Sequence, residues 1–120
     1  MKLATFDELE QADDTEYITT EAFGTTLRLG SLNSDDIIEW FEIDGEGRKA
    51  EAGLQLLIRS LVDTEGHRVP KEKLPAMLEA FRKKNARTNS RLVKVVLKLN
   101  GFDTSKNSLG EAASDDLPTG

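Results

Sequence analysis

The sequence predicts a mainly helical α+β domain: a small bundle of about four helices with an N-terminal β-hairpin and a disordered C-terminal tail. Three observations carry that expectation. Apolar residues recur at helical spacing from about Lys49 to Val62 and again toward Leu99. β-branched residues roughly alternate between Tyr17 and Leu29. Residues 103–120 are polar and rich in Gly, Ser and Asp, too poor in apolar groups to pack. A chain of 120 residues suits one core, and its 38% apolar content suits either a small folded unit with disordered ends or one that finishes burying surface against partners. The expected layout is a flexible arm over 1–16, a single hairpin-plus-helices domain over 17–102, and the tail over 103–120.

Taken in order, Phe6 and Leu9 have helical spacing, but Asp13-Asp14 follows and no second apolar turn develops. Tyr17–Glu21 and Thr25–Leu29 read as the hairpin strands, with Gly24 available for a positive φ. Two strands alone are marginal, so the hairpin must lie on something. Asn33 or Ser34 is placed to cap a helix from about Asp35 to Ile43, with Asp35 and Asp36 favoured in its first turn by the helix dipole. That helix is expected to bury Ile37, Ile38 and Phe41, with Trp40 alongside, either capping the core or facing a partner. The next, from about Lys49 to Val62, carries Ala50, Gly53, Leu54, Leu57, Ile58 and Leu61 on its apolar face.

Asp63-Thr64-Glu65-Gly66 is turn chemistry, and Pro70 keeps Val69 extended. A helix from Lys71 or Pro75 to Lys84 follows, with Leu74, Met77, Leu78 and Phe81 on one face. Thr88 or Asn89 is expected to cap the last helix, which Gly101 closes. There Leu92, Val95, Val96 and Leu99 form one stripe, and Val93 and Leu97 a second. A helix apolar over so much of its circumference is buried on two sides, either at the centre of the bundle or against another protein.

Charge is separated along the chain. Residues 1–66 carry 5 basic against 16 acidic groups, residues 67–106 carry 11 against 3, and the whole is −6. Opposite halves suit attraction within a molecule or head to tail between copies. The basic residues from Lys71 to Lys98 could also meet phosphates, but the one aromatic among them is Phe81, so no base-stacking platform is visible. The run from Arg82 to Arg91 reads first as a solvated face and second as a docking patch.

Catalytic groups are sparse. With no cysteine and His67 as the single histidine, disulfides, thiolate zinc sites, cysteine nucleophiles and histidine-pair metal sites are excluded. The aspartate pairs are sequence neighbours that need not converge, and the glycines match no phosphate loop. No apolar run reaches the roughly 20 residues that span a bilayer, and the acidic start has no signal-peptide core. A soluble, non-enzymatic protein without cofactor or metal is expected, in a reducing compartment. The expected partner-binding surface draws on Val93, Leu97 and Trp40, flanked by Arg91, Lys94 and Lys98.

The hairpin, the approach Leu29-Gly30-Ser31-Leu32-Asn33-Ser34-Asp35, the stretch Leu57–Val69 with its Asp-x-x-Gly-x-Arg turn, and Leu92–Phe102 with its Leu-Asn-Gly ending together form an ordered pattern. It resembles the tail assembly chaperones of long-tailed bacteriophages, over about Tyr17 to Phe102. The basic Arg82–Arg91 segment and Pro75 depart from that pattern. The resemblance implies a mainly helical, self-associating protein of the infected bacterial cytoplasm. Such proteins coat the tape-measure protein, keep it soluble and recruit major tail-tube subunits. A minority of copies is often extended by a frameshift, for which a tail beginning at Asp103 would suit. Two other readings are a small nucleic-acid-associated regulator using the basic helices, and a structural head–tail component of the virion.

Overall fold

In the computed structural model, which describes residues 2–45, 47 and 49–102, the chain is an α+β protein. The tail expected over 103–120 lies outside the described residues. The order is α1 (Phe6–Gln11), β1 (Tyr17–Ala22), β2 (Thr25–Gly30), α2 (Ser34–Gly45), α3 (Lys49–Ser60), β3 (Leu61–Val62), α4 (Leu74–Arg82) and α5 (Ala86–Leu99). A 3₁₀ turn at Lys71–Lys73 leads into α4. The strands form one antiparallel sheet in the order β1-β2-β3.

The hairpin closes through Phe23-Gly24, both at positive φ (57° and 76°), the turn whose twist matches the strands it joins. A bulky residue is rare there. Phe23 is held by packing: its ring meets Phe81 edge-on at 5.7 Å, and the Lys84 ammonium sits 4.9 Å from its centroid.

The helix expected to reach Val62 stops at Ser60, and Leu61-Val62 crosses into the sheet, pairing with Arg28 and Leu29. Arg68 explains the early stop. Its guanidinium donates to the carbonyls of Arg59 (3.2 Å), Ser60 (3.4 Å), Gly30 (3.1 Å) and Ser31 (2.7 Å). The first two belong to the end of α3, where carbonyls lack helical partners. The other two end β2, so one cation fastens helix to sheet. Gly30 permits the approach, since a Cβ there would lie 2.9 Å from Arg68 Nη2. The Asp63–Gly66 turn aims Arg68. Asp63 Oδ1 accepts the N–H groups of Glu65 and His67, each at 2.8 Å.

α3 forms the centre of the core: Leu56, Leu57 and Ile58 have no exposed surface, and Ala52 almost none. The face of α2 differs from expectation. Trp40 is buried, Ile37 and Ile43 are partly buried, and Ile38 and Phe41 stand 56% and 52% exposed. Positions 37 and 40 share one side of a helix, 38 and 41 the next, and both pairs are apolar. Ion pairs fix the choice: Arg59 of α3 reaches Asp36 and Glu39 at 2.8 Å each. Asn33 caps this helix by accepting the Asp36 N–H at 3.0 Å.

Pro75 sits in the first turn of α4, where its missing N–H costs no helical bond. α5 begins earlier than expected. Asn85, not Thr88 or Asn89, is its cap and accepts the Thr88 N–H at 3.0 Å. Asn89 is buried instead and donates to the Phe81 carbonyl at 2.8 Å, joining α5 to α4. The far end closes in a Schellman pattern: Phe102 N–H donates to Leu97 O at 2.9 Å and Gly101 N–H to Lys98 O at 3.0 Å. Asn100 then accepts the Leu32 N–H at 2.7 Å, tying α5 to the approach to α2.

Two expectations follow. Arg68→Ala strips four carbonyls of one donor; urea unfolding should register a loss of about 3 kcal/mol, with little recovery in Arg68→Lys, whose ammonium lacks the planar fork. In acid, the hydrogen bond from Arg59 holds Glu39 below its ordinary 4.5, and the His67 amide chiefly holds Asp63 below 3.8. Depressed folded-state values give stability that is present above the unfolded pKa and lost as pH falls through the folded one. Thermal midpoints should therefore drop as pH falls below the ordinary carboxylate range, and Glu39→Gln should show a shallower drop.

Candidate functional site

α5 divides its apolar arc. Leu92 and Val96 are fully enclosed in the core, and Leu97 is 9% exposed. Val93 is only half-buried, and its two methyls lie 3.3 and 3.6 Å from where a Cβ on Gly53 would stand, a close approach that glycine permits. An open groove of about 500 Å³ lies between α3 and α5. Gly53, Leu54, Val93 and Leu97 make its apolar floor; Ala86 and Ser90 line the α5 side; Arg82, Lys84 and Lys94 rim it. Asn89 also lines it, with Oδ1 enclosed and lacking a hydrogen-bond partner.

The rim is positive, and its three cations differ in freedom. Arg82 is bridged to Glu51 (3.7 Å) and Glu79 (3.6 Å), and Lys84 lies over the rings of Phe23 and Phe81. Lys94 is exposed with no ion-pair partner among the described residues. The arrangement is apolar below and cationic above. It suits a helix or strand that presents a few apolar side chains between acidic ones.

Of the residues singled out from sequence, Val93, Lys94 and Leu97 come together here. Leu97 forms the floor from below and offers little surface of its own. Arg91 lies about 200° around the helix from Val93 and serves the fold: it donates to the Glu21 carbonyl at 2.7 Å and to Thr20 Oγ1 at 3.3 Å, pinning the hairpin to α5. Lys98 is exposed and does not line the groove. Trp40 is elsewhere, 7% exposed, with Phe41 at 5.0 Å and Phe102 at 5.1 Å. The groove also uses Gly53, Ala86, Asn89 and Ser90, which the sequence reading did not assign to a site. A glycine inside an apolar helical stripe was the available signal, because it marks close approach or open space.

Among the described residues, no cluster of His, Cys, Asp and Glu is arranged to hold a metal ion, and no helix is long and apolar enough to cross a membrane. His67 is exposed, with Nδ1 3.6 Å from Glu65 and 3.8 Å from Asp63. No family model, curated protein or solved structure matches the chain.

The division of α5 predicts unequal tolerance. Leu97→Asp places a carboxylate in the core and should cost about 3 kcal/mol or more. Ser90→Glu, on exposed surface, should stay within about 0.5 kcal/mol of the parent. Urea titrations followed by circular dichroism separate the two.

Proposed function

We propose that the protein is a non-enzymatic assembly chaperone of the phage-tail type. It holds apolar helical segments of the tape-measure protein in the α3–α5 groove, keeps that client soluble and recruits tail-tube subunits in the host cytoplasm. The observation that supports this reading most is the groove itself: an open apolar floor under a cationic rim, on a helix whose other apolar face is spent on the core. A tape-measure protein is long and largely helical, and its apolar faces aggregate unless covered. A shallow groove suits such a client, since it accepts many related segments with modest affinity each. Repeated along the client, modest contacts sum to a stable coat. The resemblance in Tyr17–Phe102 supports the same reading. Its two best-marked turns have structural duties here, Arg68 at the sheet and Asn100 at the approach to α2.

Nucleic-acid binding through Lys83, Lys84 and Arg87 is the second reading, favoured by their exposure at the α4–α5 corner. It requires salt-dependent retention of DNA.

Co-expression with helical fragments of the tape-measure protein should raise their soluble yield. The double variant Ser90→Glu/Lys94→Glu should remove that gain while keeping the parental circular dichroism spectrum. An unchanged yield with this variant would contradict the assignment of the groove.

A further inference from the structure

The N-terminal arm is a helix with nothing to lie on. α1 is a single capped segment: Thr5 Oγ1 accepts the Glu8 N–H at 3.1 Å, and Glu8 Oε1 accepts the Thr5 N–H at 2.9 Å. None of its residues is buried; Leu3, Phe6 and Leu9 are 81%, 84% and 60% exposed. Six residues are far too few for a stable helix in water. Phe6 and Leu9 share one face at i, i+3, and Asp7, Glu8 and Glu10 lie around them. Residues 1–16 carry six acidic groups against Lys2.

The groove between α3 and α5 is the complement of that arm, apolar below and cationic at Arg82, Lys84 and Lys94. We propose that α1 of one copy docks Phe6 and Leu9 into the α3–α5 groove of a second copy, with its carboxylates against the cationic rim. The inference rests on the reading of that groove as a site for apolar helices. Geometry favours a second copy over the arm's own groove. The arm leaves the hairpin at Glu16, which is tied to Ser31 by bonds of 2.8 and 2.9 Å. Arg91 fixes the hairpin to one side of α5 and Val93 opens on the other. Ala12–Glu16, about 17 Å at full extension, would have to carry α1 around a helix about 10 Å across.

Arm and groove are different surfaces, so the contact is head to tail and leaves a free groove at one end and a free arm at the other. Copies thus add in line, and a client helix entering a groove must displace a neighbour's arm. The arm is then both the link between copies and a cover for the groove before the client arrives.

Sedimentation of the full chain over a concentration series tests this. The parent should gain mass with concentration and lose it with added salt, which screens the rim. Phe6→Asp/Leu9→Asp alters only exposed arm residues, and Ser90→Glu/Lys94→Glu only exposed groove residues; each alone should remain a monomer. Mixed, the two variants retain one intact arm and one intact groove between them and should form a 1:1 dimer that grows no further. Parental association by either variant, a parent monomeric at every concentration, or no dimer in the mixture would overturn the proposal. The last two outcomes would point to the chain's own arm or its C-terminal residues as the occupant. The arm variant should still solubilise tape-measure fragments, so failure of the arm contact is distinguishable from failure of the chaperone reading.

Discussion

One guanidinium holds the parts of this fold in register. Arg68 satisfies carbonyls at the end of α3 and at the end of β2, and thereby fixes how the sheet sits on the central helix. Everything that shapes the groove is referred to α3: Leu56, Leu57 and Ile58 face inward without exposure, while Gly53 and Leu54 face α5. A charged donor can organise four acceptors at once because its planar fork spans them, and the partly buried setting strengthens each bond. The turn from Asp63 to Gly66 exists to deliver that side chain. Asn100 plays the matching part at the other end, where α5 meets the approach to α2.

With α3 fixed, the surplus of α5 becomes a local matter. Its arc of Leu92, Val96 and Leu97 closes the core, and the neighbouring half-buried Val93 packs closely on Gly53, where an added Cβ would come within 3.3 Å of a Val93 methyl. The charge separation along the chain has a spatial counterpart: cations gather where α4 turns into α5, around the groove, while the acidic arm lies free of the core. A cationic rim over an apolar floor selects for partners whose apolar residues are flanked by acids, and it repels basic ones.

Much of this was legible in the sequence, and the misses share a cause. The 3.6-residue period of Leu54, Leu57, Ile58 and Leu61 marks α3 as a helix, but it leaves out Ala52 and Leu56, which the structure buries beside Leu57 and Ile58, and Leu61 itself passes into β3. α2 has two adjacent apolar faces, so periodicity alone could not choose Trp40 over Ile38 and Phe41; the choice came from Arg59 on another helix. The hand-over of Leu61-Val62 from helix to sheet likewise depends on a distant hairpin edge and on Arg68, a tertiary effect that overrides local propensity. Asn85 displaced Thr88 as the cap because the chain turned earlier than its apolar pattern required. In the site, Val93 and Leu97 were legible as a second apolar stripe, with Lys94 as a flanking cation. The role of Arg91 was not, since nothing local says that Glu21 lies beside it. Gly53 gained meaning only once Val93 was seen opposite.

The absence of cysteine allows a direct test of the central claim, that the α3–α5 groove is where a client helix lies. A single Ser90→Cys, labelled with an environment-sensitive fluorophore, reports from the groove wall; a second probe at Ser34→Cys, at the start of α2, reports from outside it. On titration with a tape-measure fragment the groove probe should shift to the blue and saturate, while the probe at position 34 stays unchanged. A complex that forms with no response at position 90 would contradict the account.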